Sequence, residues 1–97
     1  MNSVNAPSIK GQAVLIGYNL EGSCIYSEIL DLSDYYDGDH VWDSAEDVKR
    51  IKLQRVKGYL FDGEGRLDQE FESLFDLATG VFQKGNVRYA DGTSREL

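Results

Sequence analysis

The sequence is poor in the residues on which many protein chemistries depend. It has one cysteine, Cys24, and one histidine, His40, among 97 residues. A single cysteine excludes an intrachain disulfide, and one histidine with one distant cysteine gives too few nitrogen and sulfur ligands for a durable zinc site. The strand-like surroundings of Cys24 favour a small buried side chain over a reactive thiol. We therefore expect no metal ion and no cofactor.

Long apolar runs are also missing. No segment approaches the roughly 18 apolar residues of a membrane helix, and residues 1–10 lack the apolar centre of a signal peptide. The composition, 41% hydrophobic and 28% charged, is typical of a globular chain whose length suits one domain. We expect a single cytoplasmic domain over 1–97, with 1–9 and 93–97 flexible, and no membrane association.

Positive charge is absent from a long stretch of the chain. Residues 11–48 contain nine acids and no lysine or arginine, whereas 49–57 contain five of the ten basic residues. The net charge of −7 disfavours direct binding to nucleic acid or anionic lipid, because both reward a cationic surface. Opposite charges in neighbouring segments can compensate each other within one fold or between two copies. We therefore also expect self-association, as a homodimer.

Alternating apolar residues bounded by turn formers predict much of the secondary structure. Segments 11–18 and 24–32 are expected to form an opening hairpin. A helix over 44–51 has acids in its first turn and bases in its last, as the helix dipole favours. A further strand over 53–61 would place Val56 and Leu60 on one face, with Tyr59 and Phe61 on the other.

Residues 67–78 fit two different patterns. A helix would collect five apolar side chains on one stripe, whereas a strand would alternate Leu67, Gln69 and Phe71. The helix is favoured because it accounts for more apolar positions. A closing hairpin is expected around Lys84 to Asn86. The predicted fold class is α+β, a mostly antiparallel sheet with two short helices in the order ββαβαββ, and mainly β is the alternative.

Ser33 to Asp47 is the most unusual segment, with six carboxylates, two tyrosines, the only tryptophan and the only histidine. It does not fit a calcium-binding EF-hand loop, because Trp42 falls where a loop starting at Asp37 needs glycine. Close carboxylate pairs arise by chance among seventeen acids, and no nucleophile elbow accompanies the serines. We predict no catalytic residues.

Recognition of another protein would account for the acids and the aromatic residues of this segment together. Aromatic rings give broad contact area at low entropic cost, and carboxylates around them select a basic partner. The predicted function is a non-catalytic interaction module that recognises a basic protein surface through residues 34–47. The predicted binding residues are Asp34, Tyr35, Tyr36, Asp37, Asp39, His40, Trp42 and Asp43. In the competing interpretation, the rings belong to the core and the acids are simply solvated.

The alternative function is a small-molecule-binding domain or minor enzyme. Its cleft would lie between the sheet and a helix, because an aromatic-lined pocket with a few polar groups is the usual form of such sites. The residues predicted to line this cleft are Tyr18, Tyr26, Tyr59 and Phe61.

Overall fold

The computed structural model describes residues 9–38 and 44–97, which form six strands and two short helices. The strands pair in the order β2-β1-β3-β4-β5-β6, and every neighbouring pair is antiparallel. About half of the described residues lie in strands, so the small domain also fits the mainly β alternative. The elements are β1 Gln12–Tyr18, β2 Cys24–Asp31, α1 Leu32–Tyr36, α2 Ala45–Ile51, β3 Arg55–Phe61, β4 Leu67–Phe75, β5 Phe82–Tyr89 and β6 Ser94–Glu96.

The sheet has two unlike faces, because successive side chains of a strand point to opposite sides. One face, which we call the covered face, carries the buried residues Ala13 and Leu60, which are directly opposite each other in register. Both helices pack against this face. The other face, which we call the open face, carries the next pair in register, Val14 and Tyr59. The domain therefore has two layers, with its core on one side of the sheet.

Both helices are too short to be stable alone and depend on packing against the sheet. In α2, Val48 is buried against Leu53, Val56 and Phe75. Full burial of a side chain such as Val48 stabilises the fold by about 1.5–3 kcal/mol. The hydroxyl of Ser44 caps the helix by accepting a hydrogen bond from the Asp47 N–H, 3.3 Å away.

A glycine in β3 lies beneath the aromatic ring on which Tyr35 of α1 packs. A Cβ added to Gly58 would collide with the ring of Phe71, which lies over the glycine on the covered face. Phe71 in turn packs on Tyr35 of α1, with the ring centroids 6.0 Å apart. The missing side chain at Gly58 therefore makes the space for the Phe71 ring, on which Tyr35 of α1 packs.

The predicted opening hairpin, the helix after Ser44 and the strand that follows it are confirmed as β1–β2, α2 and β3. The alternation predicted within β3 is also confirmed, since Val56 and Leu60 are buried and Tyr59 lies on the open face. These segments were predictable because their capping and periodicity are local properties of the sequence.

The helix favoured over 67–78 is wrong, since Leu67–Phe75 forms strand β4. This strand is hydrogen-bonded on both sides, to β3 and to β5. Alternation places Phe71 and Phe75 on the covered face with Glu70 and Glu72 on the open face. The helical stripe was a coincidence, and pairing with two neighbouring strands overrode the local pattern.

The closing hairpin lies later in the chain than predicted. Residues 82–89 run through Gly85 as one strand, and the turn follows it, where the Tyr89 N–H donates to the Thr93 carbonyl at 2.8 Å. The Asp91 carboxylate accepts from the Thr93 N–H at 2.9 Å and fixes this turn. Residues 94–96, within the end predicted to be flexible, form strand β6 against β5.

Cys24 is exposed rather than buried. It lies at the first position of β2, which is an edge strand of the sheet, so fewer neighbours surround it than surround a central strand. No helix in the described part of the chain is long and apolar enough to cross a membrane.

Candidate interaction surface

The helix α1 displays part of the acidic and aromatic segment. It follows β2 directly and ends at Asp37, whose N–H donates to the Ser33 carbonyl at 3.0 Å. Gly38 then continues the chain with φ of 84°, a conformation that favours glycine. Because consecutive helical residues are about 100° apart around the axis, Tyr35 and Tyr36 point in different directions.

Tyr35 is an anchor on the covered face. It packs against the core cluster of Ala13, Leu15 and Leu60, and its ring contacts that of Phe71. Burial raises the pKa of the Tyr35 hydroxyl above its ordinary value of 10.0, and the adjacent Tyr36 adds to the shift. The hydroxyl is therefore neutral at physiological pH, as its partly apolar surroundings require.

Tyr36 is the exposed member of the pair. Its side chain is 64% exposed, and its ring meets the Tyr35 ring edge to face, with centroids 5.3 Å apart and planes at 65°. Such an arrangement is a favourable geometry for two aromatic rings. Tyr36 is therefore supported from beneath by a ring that the core holds in place, while its outer side remains available for contact.

The two acids of this helix end have no cationic partner among the described residues. Asp34 and Asp37 are both exposed, and neither takes part in any ion pair that these residues form. Among the described residues, therefore, no cation compensates their charge. We call Asp34, Tyr36 and Asp37 the α1 surface.

Two acids of α2, unlike those of the α1 surface, form ion pairs with described cations. Glu46 pairs with Lys49 at 3.5 Å and Asp47 pairs with Arg50 at 3.2 Å, each three residues along the helix. Exposed pairs of this kind contribute little to stability, about 0–1 kcal/mol each. They nevertheless neutralise the acids locally, so the negative field of the described part of segment 34–47 is concentrated at α1. The predicted binding residues Asp39, His40, Trp42 and Asp43 lie outside the described residues.

The four residues of the alternative cleft do not line one cavity. Tyr26 lies on the covered face, where its hydroxyl donates to Glu28 at 2.8 Å. Tyr18 and Tyr59 belong to the open face by register, and Phe61 belongs to it by alternation along β3. The sheet itself separates Tyr26 from the other three. Sequence alone could not reveal this, because face assignment depends on which strands pair and in what register.

The open face carries apolar side chains that the sequence did not predict to lie together. Ile29, Val14 and Tyr59 are neighbours in register across β2, β1 and β3 and form an apolar row. Ile29 is 56% exposed. The register continues into charged residues on β4 and β5, where Arg88 pairs with Glu70 at 3.5 Å. This face therefore combines an apolar part with a charged part.

A groove of about 530 Å³ occupies the covered face between the helices and β4, β5 and β6. Its floor is formed by alternate residues of these strands, and its walls include Tyr35, Ala45 and the loop at Val81. The groove is lined mainly by apolar and aromatic side chains. The groove could not be predicted from the sequence, because β4 and β5 form most of its floor. The sequence favoured a helix in place of β4 and a turn in the middle of β5.

No group of three histidine, cysteine, aspartate or glutamate side chains in the two described ranges is arranged to hold a metal ion. Of the carboxyl groups at described positions, those of Asp62 and Asp91 have lowered pKa values, and in each the main cause is hydrogen bonding within a hairpin loop. These two loops connect β3 to β4 and β5 to β6, so both carboxylates stabilise turns of the sheet. Comparison of the chain with protein-family models, with curated proteins and with solved structures gave no match.

Proposed function

We propose that the protein is a non-catalytic interaction module that binds a basic protein surface through its acidic and aromatic segment. The α1 surface is the described part of this contact. The observation that carries the proposal is the environment of Tyr36, an exposed ring that packs on the partly buried Tyr35 ring. It is flanked by two acids that pair with no cation in the described part of the chain.

The Tyr36 ring is held in place before a partner binds. Binding usually requires side chains to lose rotamer freedom, which costs about 0.5–1.5 kcal/mol for each long side chain. The contact with Tyr35 restricts Tyr36 before any partner arrives, which lowers this cost. Tyrosines in such positions are enriched among the residues that dominate binding energies.

The negative charge of the α1 surface favours a basic partner. Asp34 and Asp37 add to a chain of net charge −7, and a partner surface rich in lysine or arginine would be attracted before contact. Phosphate-bearing partners would be repelled, which argues against direct binding to nucleic acid or to anionic membranes.

The experiment uses immobilised protein to capture partners from an extract of the source cells. The test variants are Tyr36→Ala and the double variant Asp34→Asn with Asp37→Asn. A matched control, Glu21→Gln with Asp68→Asn, changes the charge equally at exposed sites away from α1. Partners that depend on the α1 surface should be retained by wild type and control and lost by the test variants.

Each captured partner is then purified and titrated. Tyr36→Ala should weaken binding by about 2 kcal/mol, or about thirtyfold in Kd. The double asparagine variant should reduce the salt dependence of the association rate, because that rate reflects long-range attraction. If test and control variants capture the same proteins with the same affinity, the α1 surface is not the contact.

Self-association is a second part of the proposal and is supported by a different observation. The row of Ile29, Val14 and Tyr59 leaves apolar side chains on an uncovered sheet face, and such patches on small proteins often mark interfaces. We place the contact between two copies on this part of the open face, opposite the helices. The α1 surface then remains accessible in the dimer.

We also assign the module to the cytoplasm. Support comes from the exposed thiol of Cys24, which has no disulfide partner in the chain and suits a reducing compartment.

A further inference from the structure

We propose that the groove on the covered face binds an aromatic monocarboxylate, with its ring among Phe75, Phe82 and Val87 and its carboxylate at Arg95. This site is separate from the α1 surface and from the apolar part of the open face, and it does not depend on the function proposed above.

The floor of the groove explains the preference for an apolar body. Val87 is almost fully buried at the centre of β5, and Phe75 and Phe82 meet edge to face with centroids 6.2 Å apart. Phe82 is nevertheless 43% exposed, so part of its ring remains open to a ligand. Flat aromatic molecules pack well against such rings, in edge-to-face or offset stacked geometry.

The size of the groove fits a small molecule. A volume of about 530 Å³ lies within the range of roughly 300–1,000 Å³ that is usual for ligand sites. Polar groups are few and are placed among the apolar ones. They are carried by Tyr35, Gln69, Ser73, Tyr89 and Arg95.

Arg95 gives the groove a positive charge, which is complementary to the carboxylate of the proposed ligand. It lies on β6 directly opposite Val87, and direct opposition places both side chains on the covered face. Arg95 forms no ion pair with any described residue, although the chain contains seventeen acids. A guanidinium at the margin of an apolar groove can bind a carboxylate through two parallel hydrogen bonds.

The charge of the whole chain limits the ligand to a single negative charge. One guanidinium compensates one carboxylate, whereas the surrounding net charge of −7 would repel a phosphate dianion or a polyanion. Screening over about 8 Å in physiological salt weakens this repulsion at a distance but leaves the direct contact with Arg95 intact. The geometry therefore favours an aromatic monoanion over phosphorylated ligands.

The test uses 2-naphthoate as the charged probe and 2-naphthalenemethanol as its neutral counterpart. Binding is followed by backbone amide chemical shifts, which also report whether each variant is folded. The variants are Arg95→Gln and Phe82→Ala. The control is Arg88→Gln, on the same hairpin but on the open face, where Arg88 pairs with Glu70.

We expect 2-naphthoate to shift amides of β4, β5 and β6 and to bind more tightly than the alcohol. Arg95→Gln should weaken naphthoate binding about tenfold or more, since a hydrogen bond to a charged group contributes about 1.5–3 kcal/mol, and should leave alcohol binding unchanged. Phe82→Ala should weaken both probes. Shifts confined to other parts of the sheet, or equal naphthoate affinity in the Arg95 and Arg88 variants, would overturn the assignment.

Discussion

Phe71 is the residue that connects the sheet to the candidate interaction surface. Its ring lies over Gly58 on one side and packs on Tyr35 on the other, and Tyr35 supports Tyr36. The position of the exposed Tyr36 ring therefore depends, through Phe71 and Tyr35, on a glycine in the middle of a strand. This chain of contacts gives a packing reason for a glycine at a position where its backbone entropy weakens the strand.

Gly58→Ala should destabilise the protein by about 1–3 kcal/mol, the usual cost of overpacking a core. The new methyl group would meet the Phe71 ring and displace it toward α1. Urea unfolding measures the loss. Gly63→Ala is the matched control, because an added Cβ there meets nothing within 4 Å. Equal stability of the two variants would mean that Phe71 does not depend on the space above Gly58.

The sequence could not show which of the two adjacent tyrosines is exposed. Both have the same chemistry, and the helix that carries them has only five residues, too few for a clear periodic pattern. The outcome is decided by contacts with Phe71, which is distant in sequence. Cys24 illustrates the same point, since its exposure follows from the edge position of β2 and not from the residues around it.

Secondary-structure elements were predictable where local signals agreed. The helix α2 has a serine cap, acids at its start and bases at its end, and all three signals lie within eight residues. Strand β4 gave conflicting signals, because its apolar residues also fit a helix. Only pairing with β3 and β5 decides between them, and strand pairing cannot be deduced from β4 itself.

The loop between β3 and β4 gives a prediction about pH. The Asp62 carboxylate accepts hydrogen bonds from the N–H groups of Glu64 at 2.8 Å and Arg66 at 3.0 Å. Bonds from Arg66 and then Glu64 hold the pKa of Asp62 below its ordinary value of 3.8. Because the folded pKa is the lower one, the charged carboxylate stabilises the loop above pH 3.8, and this contribution is lost as pH falls through the folded pKa.

Carbon-13 titration of the Asp62 carboxyl group checks this directly. In the folded protein its midpoint should lie below 3.8, and in the urea-unfolded chain it should return to about 3.8. The Asp91 carboxyl group should behave in the same way, since hydrogen bonds from the Thr93 side chain and backbone lower its pKa. A folded midpoint at or above the unfolded one would contradict the loop geometry.

In the whole molecule, the fold brings together acids and bases that lie in separate segments of the sequence. Bases of segment 49–57 pair with acids of α2 and, through Arg55 and Glu72, across β3 and β4. The division of charge between segments was predictable, and so was its partial compensation within the fold. The sequence could not specify which acids would remain unpaired, because that depends on which side chains the sheet brings together.

The open face is the largest feature that the sequence did not reveal. A sheet covered on one side by helices usually leaves a polar second face, but here Ile29, Val14 and Tyr59 lie next to each other in register. A second copy would remove what these side chains still expose from water, and each Å² of apolar surface so buried would contribute roughly 25 cal/mol. Charged residues farther along the face, such as Glu70 and Arg88, would then form a polar margin.

This arrangement predicts that Ile29→Glu abolishes self-association without unfolding the domain. Ile29 lies on an edge strand and is 56% exposed, so glutamate there remains solvated in a monomer but would be buried in the dimer. Leu20→Glu is the matched control, because Leu20 is 65% exposed in the turn between β1 and β2 and lies off the open face. Sedimentation equilibrium should give wild type and control about twice the chain mass of 10.9 kDa, and Ile29→Glu a single chain mass. A monomeric wild type, or a dimeric Ile29→Glu variant, would exclude the apolar row as the contact between copies.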